Sequence, residues 1–298
     1  MYEKRIEYYL KKTRCLLSDD SKYIADKYFK KHGTYPDLVN PQTLNEKIMY
    51  RMLHGNDKLF TRLSDKVNVR IYVALNAGIR YLVPLYCIYT KARDINFSDL
   101  PESFVLKCNH DSGSTIVVKH KKYFRKERAL SFLQFRLDSN FYYKNRESHY
   151  RAIAPVIICE KYMPPVELPG RNMFFESVRL HCFNGRPRFI EADFISFTKK
   201  DYVNIYTTNW RLLPFTIEYG NTPFEVEKPD FLQEALDIAV QLSGSIDYCR
   251  VDLLVTAEGL FFSEMTFTPY CGRGRITPIC WDKLLGKLWK SSAESTHC

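Results

Sequence analysis

The chain has 298 residues, 45% hydrophobic and 26% charged, with 44 Lys and Arg against 34 Asp and Glu for a formal charge of +10. That composition suits a globular protein with a substantial core, and its charge attracts polyanions: nucleotides, acidic glycans, nucleic acids or an anionic membrane face. The absence of a long basic run or a recognisable nucleic-acid module argues against a nucleic-acid partner, and no apolar run approaches the roughly 18 residues needed to span a bilayer.

Met1-Tyr2-Glu3-Lys4-Arg5 lacks an apolar signal core, so a cytoplasmic location is expected, with peripheral membrane contact left open. Tyr8, Leu10, Leu16, Tyr23, Ile24, Tyr28 and Phe29 predict helix over 4–32, broken and recapped at Ser18 to Ser21 and ended by Gly33 to Pro36. A helix near 43–53 follows an N-cap candidate, and a further helical stretch over 56–77 contains Ser64-Asp65-Lys66. Residues 81–89 turn strand-like. Strands over 103–108 and 114–119 form a hairpin with a polar tip, Asn109 to Gly113. A helix over 125–138, an aromatic-basic loop from Phe141 to Arg151 and a strand over 154–160 come next. After Pro164-Pro165, strands are expected near 173–183, 186–195 and 202–206, with Asn184-Gly185 as a hairpin turn. A helix over 230–243 then feeds a last hairpin, Cys249–Leu254 and Phe262–Phe267. The cysteines at 15, 87, 108, 159, 182, 249, 271, 280 and 298 include no Cys-x-x-Cys pair and are expected as free thiols.

The last hairpin is the most informative segment. A three-residue loop, Ala257-Glu258-Gly259, would pair 256 with 260, hence Asp252 with Glu264 and Arg250 with Thr266. Those four side chains then share one face, and Val251, Leu253, Met265 and Phe267 the other. Opposed carboxylates with Cβ atoms about 4.5 to 5.5 Å apart repel unless a proton or cation lies between them, and hard oxygen ligands suit magnesium. A solvated sheet face shows the same alternation, and another register would separate the pair.

Lys107 ends an apolar strand just before a loop of small residues whose N–H groups are free to approach phosphate, although such tips are commonly plain turns. Glu160-Lys161-Tyr162-Met163 closes another apolar strand. It could offer backbone groups to a base edge, with Glu160 accepting from an exocyclic amine and Glu167 reaching ribose hydroxyls; without context it is a strand end entering a loop. His181, Cys108, Cys159 and Cys249 read as packed residues. Phe141 to Arg146 reads either as a glycan contact or as a connection.

Taken in order, these pieces resemble the ATP-grasp superfamily, and more closely its TupA-like branch, associated with teichuronopeptide and capsular polysaccharide synthesis. The matching stretches are Asn40-Pro41-Gln42-Thr43-Leu44-Asn45-Glu46-Lys47, Ser64-Asp65-Lys66, Phe104 to Ser114, Cys182-Phe183-Asn184-Gly185 with Pro187, Phe189 and Ile190, Leu212 to Phe215, Arg250 to Leu253, Glu264 to Phe267, and Thr277-Pro278. The resemblance implies an α+β fold in which two α+β lobes clamp ATP after a short helical N-terminal segment. The expected boundaries are 1–60 for that segment, 61–153 for the lobe with the phosphate hairpin and 154–298 for the lobe with the metal site.

It further implies Lys66 and Lys107 on the phosphates under a flap of Asp111, Ser112, Gly113, Ser114 and Thr115. Glu160, Lys161, Tyr162 and Met163 would line the adenine pocket, with Glu167 on the ribose. Asp252 and Glu264, with Thr266 a weaker ligand, would hold Mg2+. Arg250 would face the transferred phosphoryl group or the oxyanion that follows it. Arg179 stands where this branch commonly has Lys, and Arg273, Arg275 and His110 are the candidates for acceptor contact.

Three departures stand out. Thr266 replaces the Asn common two residues after the metal-binding Glu, and Pro269-Tyr270-Cys271-Gly272-Arg273-Gly274-Arg275 replaces a small Gly-Ser-Gly segment. About 60 residues precede Asp65, fewer than the α/β domain that often opens such ligases, so substrate recognition is expected to be arranged differently. The implied activity is ATP- and Mg-dependent ligation of an amine to a sugar-acid carboxylate through an acylphosphate, with an anionic sugar or glycan as acceptor. A glycan kinase, a glycosyltransferase of a capsule or O-antigen pathway and a non-catalytic nucleotide-binding module are the alternatives.

Overall fold

The computed structural model describes residues 2–55 and 58–290; Cys298 and the expectations for 291–298 lie outside them. In chain order the elements are α1 (Tyr2–Leu17), α2 (Asp20–His32), α3 (Leu44–His54), α4 (Lys58–Ser64), α5 (Asn68–Asn76), β1 (Leu85–Tyr89), β2 (Phe104–Cys108), β3 (Ile116–Val118), α6 (Lys126–Leu137), α7 (Tyr142–Asn145), β4 (Ile157–Lys161), β5 (Val166–Leu168), β6 (Met173–Phe183), β7 (Arg186–Ser196), β8 (Asp201–Thr207), β9 (Thr216–Ile217), α8 (Leu232–Ser243), β10 (Tyr248–Thr256), β11 (Gly259–Thr266), β12 (Ile276–Thr277) and α9 (Cys280–Gly286). The chain forms two compact units. One comprises Met1–Asp26, Met52–Ile71 and Val83–Met163; the other comprises Lys27–Arg51, Tyr72–Leu82 and Pro164–Cys298.

Local chemistry sets the helix boundaries. Asp19 caps α2, accepting from Lys22 N at 3.1 Å. Thr43 and Glu46 form a capping box at α3: Glu46 N donates to Thr43 Oγ1 at 3.1 Å, and Thr43 N to Glu46 Oε2 at 2.9 Å. The helical stretch expected over 56–77 is split because Asp65 bends back on itself, accepting from Val67 N and the Asn68 side chain at 2.9 and 2.6 Å. The strand expected from 81 starts at Leu85, since Ile79–Tyr81 coil into a 3-10 turn. The loop expected over 141–151 carries α7 and packs inward, with Arg146 wholly buried against the Tyr23 ring and Asp20.

In the first unit β1, β4, β2 and β3 make an antiparallel sheet in that order. One face carries the core, Phe104, Leu106, Cys108, Ile157 and Cys159 against Leu133 and Leu137 of α6. The other holds Lys107 in register with Ile158 and Ile88, and Val105 in register with Glu160 and Val117.

In the second unit the antiparallel order is β11-β10-β6-β7-β8, with β5 also paired to β6. Helix α8 packs on β6, β7 and β10 and buries Ala235, Ile238, Ala239 and Leu242. The Asn184-Gly185 turn joins β6 and β7 with φ of 50° and 73°, the positive pair that a two-residue hairpin demands. Gly185 is required twice over, since a Cβ there would lie 2.0 Å from the Gly244 carbonyl oxygen.

The β10–β11 turn differs from the expected one. Thr256 pairs with Gly259, not with 260, because its hydroxyl accepts from Glu258 N at 3.2 Å and donates to Gly259 O at 2.9 Å, tightening the loop to two residues. A one-residue bulge at Ser263 then restores the register, so Asp252 faces Glu264 and Arg250 faces Thr266. The eight described cysteines are free thiols. Among the described residues no helix is long and apolar enough to cross a membrane.

Candidate nucleotide and metal sites

In the first unit, Lys107 Nζ lies 2.6 Å from Glu160 Oε2, while Arg70 takes Glu160 Oε1 at 3.1 Å and fixes itself on Val83 O at 2.8 Å. Both oxygens of the buried Glu160 are thus engaged by cations. Lys66 Nζ donates to Asp111 O at 2.5 Å, at the root of the polar loop.

The loop after β2 is braced from inside. Ser114 Oγ accepts from Cys108 N at 2.8 Å and donates to Asp111 Oδ1 at 2.5 Å; Arg136 of α6 grips Asp111 Oδ2 at 2.5 Å and Ser112 O at 3.0 Å. Asn109 ties the same loop to Asp65 Oδ1 at 2.8 Å and to Val156 N at 2.7 Å. His110 is buried, its Nε2–H shared by the carbonyls of Arg136 and Ser139 at 3.1 and 3.0 Å; burial holds its imidazole below the usual range. Ser112, Gly113 and Thr115 stand exposed at the tip.

In the second unit a row of charged side chains crosses four strands in direct register: Glu264, Asp252, Arg179 and Glu191. Arg250 is the next position on the same face of β10 and grips Asp252 through Nε to Oδ1 at 2.8 Å and a terminal nitrogen to Oδ2 at 2.7 Å. Thr266 Oγ1 sits 3.5 Å from Asp252 Oδ2 and 3.4 Å from Glu264 Oε1. Arg179 is bidentate to Asp193 and also reaches Glu191 Oε2 and Tyr270 Oη, each at 3.2 Å. Tyr270 donates to Glu191 Oε2 at 2.8 Å.

His181 lies stacked on Phe189 with centroids 4.0 Å apart. Its Nε2–H donates to Glu191 at 2.7 Å, which leaves Nδ1 to accept from Tyr248 Oη at 2.9 Å. Burial holds this imidazole low. Burial works to raise Glu191, but the His181 hydrogen bond and the surrounding cations outweigh it and keep the carboxyl well below its usual range. Burial pushes Asp193 up to about 6 against the charge of Arg179, and raises Asp252 against Arg250.

A profile of the TupA-like ATPgrasp family matches residues 46–290. The chain belongs to the TupA-like ATP-grasp family. Its α+β architecture, with short helices at the N-terminal end, is the ATP-grasp fold. Among solved structures it is similar to D-alanine–D-alanine ligase from Bacillus anthracis with ATP, at 18% identity and a TM-score of 0.39 over 70% of this chain and 54% of that one. It is also similar to the ATP-grasp ligase PsnB with a phosphomimetic precursor variant, Mg and ADP (14%, TM-score 0.41, 78% and 61%) and to the ADP complex of N5-carboxyaminoimidazole ribonucleotide synthetase (14%, 0.38, 71% and 46%). The chain therefore spans less than two thirds of the length of each of these. A comparison with curated proteins finds no match.

Within this ATP-grasp chain the expected site residues fall into two groups. Lys66, Lys107, the 110–115 loop and Glu160, Lys161, Tyr162 and Met163 lie in the first unit; Glu167, Arg179, Arg250, Asp252, Glu264, Thr266, Arg273 and Arg275 lie in the second. Three expectations change. Asp111 and Ser114 are internal struts of the loop, so only its tip and backbone stand open to a ligand. His110 anchors that loop from beneath, with its ring turned to carbonyls. Arg275 is exposed and tied to the end of α2, donating to Lys31 O at 3.3 Å, where a cation also complements the helix dipole. Arg273 is half-buried, and its carbonyl accepts from His32 Nε2 at 3.2 Å.

Arg70, Arg136, Glu191, Asp193 and Tyr270 join these networks without having been assigned to them from the sequence. For Glu191 and Asp193 a signal existed: two carboxylates at period 2 within the apolar run Phe189 to Ile195. Arg70 and Arg136 sit on helices, with no pattern to mark them.

Proposed function

We propose that the chain is an ATP- and magnesium-dependent ligase that joins an amino acid or other amine to the carboxylate of a sugar acid, through an acylphosphate, during assembly of a surface polysaccharide. The observation that carries this reading is the charge balance of the β11-β10-β6-β7 face. Two guanidiniums, Arg179 and Arg250, stand among four carboxylates, Glu191, Asp193, Asp252 and Glu264, so the formal charge there is two negative. One divalent cation balances it. Among the described residues no cluster of three or more His, Cys, Asp or Glu is arranged for a metal, but a magnesium ion needs only one or two protein carboxylates when phosphate oxygens complete its shell. Asp252, Glu264 and the Thr266 hydroxyl supply hard oxygen donors of that kind.

Bound there, the metal would neutralise charge on the phosphates. In the first unit, Lys66 and Lys107 offer cationic donors and the Ser112–Gly113 tip backbone N–H groups suited to phosphate oxygens. Half-exposed Ile88 and Val117, on the sheet face that carries Lys107, offer apolar surface to a flat base. Arg250 is positioned to donate to an oxygen that gains charge when an amine attacks the activated carboxyl. The half-buried Arg273 suits an anionic acceptor.

The test is release of ADP and phosphate with Mg2+ and ATP across a matrix of uronic acids, sugar-nucleotide acids and amino acids, with mass spectrometry of the products. Turnover that needs both an acid and an amine, with a condensation product, is the expected result. A phosphorylated sugar would replace the ligase by a glycan kinase. No ATP turnover across the matrix would favour a glycosyltransferase or a nucleotide-binding module.

A further inference from the structure

Helix α1 docks on its own unit by the wrong face for an ordinary amphipathic helix. Its half-buried positions are Tyr8, Lys11, Lys12 and Cys15. Tyr8 meets Phe135 and Tyr143 edge-on with centroids 6.0 and 6.3 Å apart, and its hydroxyl accepts from Asn140 N at 2.9 Å; Lys12 lies over the Tyr143 ring at 5.6 Å. The apolar side chains point the other way. Ile6, Tyr9, Leu10, Leu16 and Leu17 are 46, 59, 66, 74 and 82% exposed, and with Thr13 they follow the i, i+3, i+4, i+7 spacing of a single helical face. A helix of a soluble domain normally turns such a stripe to the core, so a continuous exposed one marks a surface that meets an apolar partner.

The charges beside the stripe say which partner. Arg5 and Lys12, seven residues apart, border one edge, and Arg14 borders the other; Glu7, beside Arg14, is neutralised by Lys11 at 2.5 Å. A second copy of the chain would bring the same cations against them, on a protein already at +10. A bilayer with anionic headgroups complements the cations while its headgroup–acyl boundary receives the leucines.

We propose that α1 is an interfacial helix that seats the protein on an anionic lipid surface, with Ile6, Leu10, Leu16 and Leu17 inserted and Arg5 and Arg14 at the headgroups. The inference is independent of the ligase reading, since it concerns a face that carries none of the nucleotide or metal residues.

Co-flotation of the full chain with vesicles tests it. Binding is expected to phosphatidylcholine vesicles containing phosphatidylglycerol, weakening with salt, and not to phosphatidylcholine alone. The Leu10→Gln/Leu16→Gln/Leu17→Gln variant alters only exposed side chains, so it should keep the wild-type circular dichroism and melting temperature yet lose binding by about tenfold or more. Arg5→Gln/Arg14→Gln should lose a comparable factor and flatten the salt dependence. Three results would overturn the proposal: no flotation of the folded wild type, equal binding to neutral vesicles, or a solution dimer that the triple Gln variant converts to monomer, which would give the face to a second copy.

Discussion

Arg250 holds Asp252 side-on, two residues along the same strand face, with contacts of 2.8 and 2.7 Å. Both side chains are buried, so each is the main compensation for the other's desolvation. Arg250→Met should therefore destabilise the protein by about 3–5 kcal/mol, the usual consequence of stranding one partner of a buried pair. Adding Asp252→Asn to that variant should recover much of the loss. Urea denaturation of the two single variants and the double variant decides it; additive losses would mean that the pair is not coupled.

The carboxylates also carry the metal assignment. Asp252→Asn and Glu264→Gln should each reduce magnesium-dependent turnover by roughly 100-fold or more, the scale of removing one group from a preorganised electrostatic site. They should also abolish the rise in melting temperature that Mg2+ with ATP gives the wild type. Near-normal turnover in both variants would remove these residues from the metal site.

Lys107 shares Glu160 with Arg70, and this separates its binding role from its structural one. In Lys107→Ala, Arg70 still pairs Glu160, so stability should fall by no more than about 1–2 kcal/mol, far less than for an unpaired buried charge. Affinity for ATP should drop about tenfold or more, as expected for loss of a charge-assisted contact to phosphate. Calorimetric titration reads the affinity, and an unchanged dissociation constant would sink the phosphate role.

The sequence was most legible where period and turn chemistry agreed. The Asn184-Gly185 hairpin, the apolar strands around Lys107 and Glu160 and the facing of Asp252 and Glu264 all follow from alternation and positive-φ residues. That facing was reached through an expected turn one residue too long, and the bulge at Ser263 compensates for it. What stayed hidden depends on tertiary contact. Nothing local distinguishes an Asp at the start of an open flap from one like Asp111 that braces its own loop through Ser114 and Arg136. Nor does helical periodicity reveal that α1 turns its apolar stripe outward. β5, β9 and β12 are two or three residues long, too short for any pattern.

Asn45 shows what one matching stretch does physically. Its side chain exchanges hydrogen bonds with both backbone groups of Gly274, at 2.8 and 3.0 Å, and donates to Asp282 Oδ2 at 2.8 Å, while its own N–H reaches Asp282 Oδ1 at 3.0 Å. Gly272 approaches the same helix so closely that a Cβ would lie 2.6 Å from Asn45 O. Asn45→Ala leaves the Gly274 amide and part of the buried Asp282 unsatisfied, so a loss of about 2–4 kcal/mol is expected. Gly272→Ala should cost at least about 1–3 kcal/mol, because both the close contact and its φ of 64° resist a side chain. Urea midpoints measure both, and shifts within error would show that the 269–275 loop does not need this anchor.

The buried histidines predict how stability responds to acid. Burial holds both His110 and His181 below the ordinary 6.5, although Asp111 pulls the first upward and Glu191 the second. On unfolding, each takes up a proton near pH 6.5 that it does not bind in the fold. For these two groups the unfolded state binds more protons, so their contribution to stability falls as pH drops from about 7 through 6.5, while Asp193, pushed up to about 6, takes up its proton in the fold and opposes them below that. Each histidine can contribute at most about 1.4 kcal/mol per pH unit to that slope. Glu191, held low, adds a loss of the same sign at more acidic pH, below its ordinary 4.5. In His181→Gln the amide can still donate to Glu191 but cannot titrate, so the slope from pH about 7 to about 5 should flatten, and more so with His110→Gln added. Urea denaturation across that range checks it. Slopes equal to the wild type in both variants would assign the acid lability to other groups.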